Sequence, residues 1–170
     1  MRHRTRHAHA TLVKFLSTRL DELGWINPPI NFGAKAVTIQ DFEAYGSDQG
    51  AIQPEPNLVA ITLEPNDPDE DQELGGALIA GMYQFFVDVV GESVPISTAL
   101  VDDVLLALKN AKIPLLDFTT DAAGVEAPGS SMEFYAVANF VPEASAYIDR
   151  RTWRMCSGFV DVFTPDDWDT

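Results

Sequence analysis

One stretch of sequence, "GMYQFFVDVVGESVPISTALVDDVLLALKN" at residues 81–110, constrains the fold more than any other. It opens with an apolar run that stops at Gly91, and that run predicts a buried strand. After the turn, apolar residues recur four apart at Leu100, Val104 and Leu108, which predicts a helix with one apolar side. A strand, a short turn and a helix therefore follow one another at the middle of the chain.

Periodicity and turn residues predict the other elements in the same way. Helices are expected over about 8–23, where Gly24 ends the first, and over 96–110; strands are expected within 34–45, 58–65, 77–90, 113–120, 132–142 and 152–163. The third strand is expected to run antiparallel to the second, and 121–131 is expected to be a loop. The chain is thus predicted to be a single α+β domain over 1–170: a mostly antiparallel or mixed β-sheet with two helices packed on one face. Residues 1–10 read as a basic N-terminal extension and 164–170 as a polar C-terminal tail.

Charge is unevenly distributed along the chain, whose formal net charge is -15. Basic residues cluster at the N-terminus and again at 150–154, whereas 41–149 is strongly acidic. Because phosphate contacts need Lys and Arg, such a body is expected to repel nucleic acid. Two small basic clusters on an acidic body favour self-assembly or docking to acidic proteins. A solubilising acidic surface with a basic tail explains the same pattern equally well.

The turn after Gly91 lacks the features of a phosphate-binding or catalytic turn. It has one glycine, whereas nucleotide-binding loops use several so that backbone N–H groups can approach the anion. Glu92 would repel phosphate, and Pro95 removes a donor. Ser93 is not flanked by the glycines of a nucleophile elbow. The turn is therefore predicted to be architectural, with no cofactor and no catalytic residue.

The acidic segment after the second strand has part of the spacing of a calcium-binding loop. Asp67, Asp69 and Asp71 alternate as the first ligands of an EF-hand do. That loop also needs glycine at its sixth position and a bidentate carboxylate at its twelfth, where this chain has Gln72 and Leu78. A solvated charged loop is the simpler interpretation.

The remaining candidates for chemistry are few. His3, His7 and His9 lie in the basic N-terminus and could bind a divalent metal, but no local Cys or carboxylate accompanies them. Because these are the only histidines, no histidine general base is expected inside the folded body. The single cysteine, Cys156, is expected to be a core thiol. Neither an enzyme nor a metal site is predicted, and no apolar run is long enough to suggest a membrane span.

The overall layout resembles the tail terminator proteins of phages with long non-contractile tails. The resemblance covers most of the chain: an N-terminal helix ending in "RLDELGW", a strand pair leading to "MYQFFVDVVGES", the helix "ISTALVDDVLLALKN" and a closing strand "RRTWRMCSGFVDVF". It is a likeness of pattern rather than of catalytic motifs. In that family the strand, turn and long helix form the centre of a compact α+β fold. This chain departs from the family in its basic N-terminus, long acidic loop and extended "TTDAAGVEAPGSS" segment.

The resemblance implies a structural virion protein that assembles in the host cytoplasm. It would form a six-fold ring on the head-proximal end of the tail tube, stop tube polymerisation and offer a docking surface to the neck. Its partners would be other copies of itself, the tail tube protein and head-tail neck proteins. Genomic DNA would pass through the ring without specific binding, and neither a cofactor nor a membrane would be involved.

Two sets of residues are candidates for these roles. The acidic loop is the candidate lining of the lumen, where carboxylates would keep DNA from sticking: Asp67, Asp69, Glu70, Asp71 and Glu73. The basic clusters are candidates for contacts with a neighbouring subunit or partner: Arg2, Arg4, Arg6, Arg150, Arg151 and Arg154. A cyclic interface needs two different complementary patches, which opposite charges supply.

Two other functions fit the sequence. A neck or head-tail connector protein of the same virion region would share much of the outline and would bind on the head side. An acidic inhibitor that mimics DNA would use the charge of -15 to block a DNA-binding protein. Self-assembly separates the ring proteins from the inhibitor, which would stay small and bind its target instead.

Overall fold

The structure is a computed structural model that describes residues 4–31, 33–41, 57–65, 72–74, 78–140 and 152–165. Within these ranges it contains two helices and seven strands. In chain order they are α1 (Arg4–Glu22), β1 (Thr38–Asp41), β2 (Leu58–Pro65), β3 (Gln72–Leu74), β4 (Leu78–Gly91), α2 (Val94–Leu108), β5 (Lys112–Asp117), β6 (Val125–Phe140) and β7 (Thr152–Pro165).

The strands form one mixed, mostly antiparallel sheet in the order β1-β2-β4-β7-β6-β5, and β3 pairs with β4 beyond the end of β2. Among the described strands, only the β1–β2 pair is parallel. The predicted antiparallel pairing of β2 with β4 is confirmed, with Leu58 opposite Val90 and Pro65 opposite Tyr83. The chain is therefore an α+β protein, as its pattern predicts.

Both helices pack on one side of this sheet, called here the inner face; the other side is the outer face. The core between helices and sheet consists of alternate strand residues and the apolar stripes of the helices, because strand side chains alternate between faces. Its fully buried members include Leu12, Leu16, Leu20, Val59, Ile61, Phe85, Val87, Leu100, Val104, Leu108, Cys156 and Val160. The prediction that Cys156 is a core thiol is confirmed, and burial raises its pKa to about 12.

The first helix ends where Gly24 predicts. Gly24 has φ +79°, its N–H bonds to the carbonyl of Asp21, and the N–H of Trp25 bonds to the carbonyl of Leu20. This is a Schellman motif, which favours glycine because other residues are strained in the left-handed conformation. The start of the helix differs from the prediction, which put it near residue 8. α1 begins at Arg4, so most of the predicted basic extension is part of the fold.

Several boundaries in the rest of the chain also differ from the prediction. β1 covers only four residues, and the acidic connection contains a short strand, β3. The segment after β5 was predicted to be a loop up to residue 131, but β6 begins at Val125 and pairs with β5 there. Pro128 and Gly129 obscured this strand, since both residues are unfavourable in strand interiors. The expected polar tail at 164–170 begins inside β7, where Thr164 is buried.

Candidate functional site: interaction surfaces

The turn between β4 and α2 packs closely against the first turn of α2. A Cβ atom placed on Gly91 would lie 2.7 Å from the backbone nitrogen of Ser97 in the first turn of α2. The backbone N–H of Glu92 donates to the side-chain oxygen of Asn57 (3.0 Å), and the Glu92 carboxylate accepts from the Asn57 amide (3.3 Å). The same carboxylate accepts from the backbone N–H of Lys35 (3.3 Å). Glu92 therefore ties the turn to the start of β2.

A second carboxylate in the helical layer also has a structural partner. Asp102 and Asp103 are neighbours on α2. Asp102 is exposed, but Asp103 is half-buried and accepts a hydrogen bond from the indole nitrogen of Trp25 at 2.6 Å. Trp25 itself is 1% exposed, so this bond fixes the chain after α1 against α2.

Helix α1 spans the inner face of the sheet, and polar side chains on its two flanks bond to β5 and to β2. On one flank, Thr11 Oγ1 accepts from the N–H of Leu116 (3.1 Å), and His7 Nδ1 accepts from the N–H of Phe118 (3.0 Å). These bonds occupy backbone donors at and just after the edge strand β5. On the other flank, His9 Nε2 lies 3.0 Å from the carbonyl oxygen of Ile61 in β2. The helix thereby fastens two sheet regions that do not pair with each other.

The histidines lie in different environments, and one of them differs from the prediction. His7 is 6% exposed, so the assumption that all three histidines lie in an extension outside the folded body is wrong. Because its Nδ1 accepts a backbone hydrogen bond, that nitrogen is not free for a metal. His3 lies outside the described residues. Across the described ranges, no group of three or more metal-ligating side chains comes together.

The outer face of the sheet carries a cluster that sequence reasoning missed. Cross-strand registers place Met82 opposite Asp161, and Asp161 opposite Glu133 on its other side. The next pair along β6 and β7 is Tyr135 and Phe159, whose rings stack with centroids 5.9 Å apart. Directly opposite residues share a face, so these five side chains form one surface, the outer-face patch. The four on β6 and β7 are half-buried, and Met82 is 38% exposed.

The outer-face patch places two carboxylates, those of Glu133 and Asp161, directly opposite each other on neighbouring strands. Two carboxylates directly across a strand pair repel each other. Lys112 forms an ion pair with Glu133, whereas Asp161 accepts a hydrogen bond from the Tyr135 hydroxyl at 3.1 Å. Burial, with a smaller contribution from Glu133, raises the pKa of Asp161, although the Tyr135 bond opposes the shift. The only sign of this patch in the sequence is the alternation within β7, which does not reveal the cross-strand partners.

The six candidate arginines fall into different environments. Arg2, Arg150 and Arg151 lie outside the described residues. Arg4 Nε donates to the Tyr83 hydroxyl (3.3 Å), so this side chain packs on the inner face of β4. Arg6 is exposed. Arg154 is half-buried, and its Nε is buried with no hydrogen-bond partner in the described part of the chain.

The candidate lumen loop lies almost wholly outside the described residues. Asp67, Asp69, Glu70 and Asp71 are not described, and Glu73 is placed only as a backbone position in β3. Its predicted role in the lumen is therefore untested. In the ranges that the structure describes, no helix is long and apolar enough to cross a membrane.

Comparison with known proteins adds no family assignment. The sequence matches no protein-family model, and no curated protein shows a significant match to it.

Proposed function

We propose that this chain is a structural virion protein that forms a ring, six-fold by resemblance, at the head-proximal end of a phage tail tube. The ring ends tube polymerisation and gives the head-neck complex a docking surface. It acts through binding and geometry rather than catalysis.

The observation that carries this proposal is the packed strand-turn-helix unit at the centre of the molecule. The resemblance places such a unit at the centre of the tail terminator fold, and here β4 lies between β2 and β7 with α2 packed over it. The turn between β4 and α2 is tightly packed at Gly91 and hydrogen-bonded at Glu92, and it therefore holds α2 on the sheet. This support is at the level of the fold, and a fold hosts many functions. The direct test is therefore functional.

Charge distribution supports the proposal independently. An acidic, partly apolar patch lies on the outer face of the sheet, and a basic helix start lies on the side of the helices. A ring built head to tail requires two such different surfaces on each subunit. A net charge of -15 also suits a ring through which DNA slides without binding.

The test is to assemble tubes from the cognate tail tube protein in the presence of this protein and to image the products by electron microscopy. We expect tubes of limited length with one extra ring at one end only. Long, uncapped tubes with no bound protein would refute the terminator role. Binding to neck proteins would then favour a connector, and tight binding to a nuclease or another DNA-binding protein would favour the inhibitor.

A further inference from the structure

We infer that the outer-face patch binds the basic first turn of α1, centred on Arg6, from a second copy of this chain. The inference rests on the proposed ring, since it identifies the surfaces that subunits of that ring would share. It assigns an ion-pair partner to two charged groups that have none among the described residues: the carboxylate of Asp161, which accepts a hydrogen bond from Tyr135, and the guanidinium of Arg6.

The outer-face patch has the chemistry to receive an arginine. A guanidinium binds carboxylates through its N–H donors and stacks on aromatic rings, and the patch offers both. Among the described residues, Asp161 receives a hydrogen bond only from Tyr135, which leaves oxygen lone pairs available. Tyr135 and Phe159 provide stacked rings beside it. Met82, 38% exposed, adds an adaptable apolar contact for the stem of the arginine.

The start of α1 has the complementary charge. Its first turn carries Arg4 and Arg6 and no acidic residue. The positive end of a helix dipole disfavours cations there and favours anions. Arg6 is exposed and forms no ion pair with any described residue, whereas Arg19, at the other end of the helix, pairs with Glu22. A carboxylate from outside the chain would therefore improve the electrostatics of this helix terminus.

One chain cannot satisfy both surfaces by itself. Ala8 and Leu12 are fully buried against the inner face of the sheet, and Arg6 projects from the exposed side of the same helix. The outer-face patch lies on the opposite side of the sheet. A contact between the two surfaces is heterologous, and repetition of such a contact gives a closed ring or an open filament. This is the contact type that the proposed function requires.

Site-directed cross-linking tests the inference directly. Cys156 is the only cysteine and is buried, so introduced surface thiols can be labelled selectively. A chain with Ala10→Cys, which keeps Arg6 and places the thiol one helical turn from it, is mixed with a chain with Met82→Cys and treated with a short bismaleimide at the protein concentrations used for tube assembly. We expect cross-linked dimers of the two chains, and a ladder of higher oligomers from the double variant. A matched control uses Leu106→Cys, 72% exposed on α2, in place of Met82→Cys and should give few cross-links.

A charge exchange provides a second measurement that does not depend on introduced thiols. Arg6→Glu and Asp161→Arg should each weaken self-association by about tenfold or more at low salt, and the pair together should restore most of it. The control is Glu126→Arg, which also replaces an acidic residue by arginine, at an exposed position of β6, and should have little effect on self-association. Sedimentation velocity across a salt series measures this. The inference would be overturned if neither Arg6→Glu nor Asp161→Arg weakened self-association. It would also be overturned if the Leu106→Cys control cross-linked as well as Met82→Cys.

The outcomes separate this contact from the function on which it rests. If the protein caps tubes but gives no cross-link from position 10 to position 82, the ring is built through other surfaces and this inference fails alone. If the cross-link forms but tubes stay uncapped, the contact stands and the terminator role fails. If neither is seen, both are refuted.

Discussion

The substitution Gly91→Ala tests whether the central turn is packed as tightly as the structure indicates. The added Cβ would lie 2.7, 2.8 and 2.9 Å from the backbone nitrogen, Cβ and Cα of Ser97, well inside ordinary contact distance. Two of these atoms belong to the backbone of α2, so the first turn of the helix must move. Overpacking of this kind costs about 1–3 kcal/mol, and alanine returns roughly 0.4–1 kcal/mol by restricting the unfolded chain. We expect a net loss of about 1–2 kcal/mol, which lowers Tm by roughly 2–8 °C in a domain of this size.

The matched control is Gly81→Ala in the same strand. There the new Cβ would meet the end of the Arg4 side chain at 3.0 Å and the Tyr83 ring at 3.1 Å. Because the arginine end is flexible, we expect the free energy of unfolding to stay within about 0.5 kcal/mol of the wild type. Urea denaturation of both variants measures the difference. Equal stability of the two variants would show that α2 does not pack on the turn as closely as the structure indicates.

The other predictions concern α1, the outer-face patch and the acidic loop. Thr11→Val removes the acceptor of the Leu116 N–H, so it should lower the free energy of unfolding by about 1–3 kcal/mol and speed hydrogen exchange at that amide. The control Thr18→Val, on the exposed side of α1, should change neither by much. Asp161→Asn keeps an acceptor for Tyr135 but removes the repulsion with Glu133. Because the pKa of Asp161 is raised in the folded state, the stability of the wild type falls as pH rises through that pKa. The variant should lose this pH dependence and gain up to about 1 kcal/mol in the free energy of unfolding at pH 7. Urea denaturation at pH 4 and pH 7 measures both effects. Neutralising the acidic loop at 67–71 with asparagine should leave tube capping intact and increase non-specific DNA binding at low salt; unchanged DNA binding in a filter or mobility assay would contradict the lumen role.

Much of the fold follows from local patterns that the sequence carries directly. The apolar stripe of α2, the glycine stop of α1 at Gly24 and the β2–β4 pair were predicted correctly because each depends on residues close in the chain. Boundaries failed where local signals conflict with tertiary pairing. β6 extends through Pro128 and Gly129 because it pairs with β5 on both sides of them, at Glu126 and at Ser131, across a register shift. α1 begins at Arg4 although its first turn has the wrong charge for a helix start.

The sequence by itself determined the class of the protein: an acidic α+β chain with a strand-turn-helix centre and no recognisable catalytic motif. Only the tertiary structure decided which polar residues meet. His7 became a buried acceptor for the Phe118 N–H, and Asp161 came to lie between Glu133 and Met82. The physical reason is that periodicity records which side of an element faces the core. The register between strands distant in the chain, and the position of a helix across a sheet, are set by packing that no local pattern specifies.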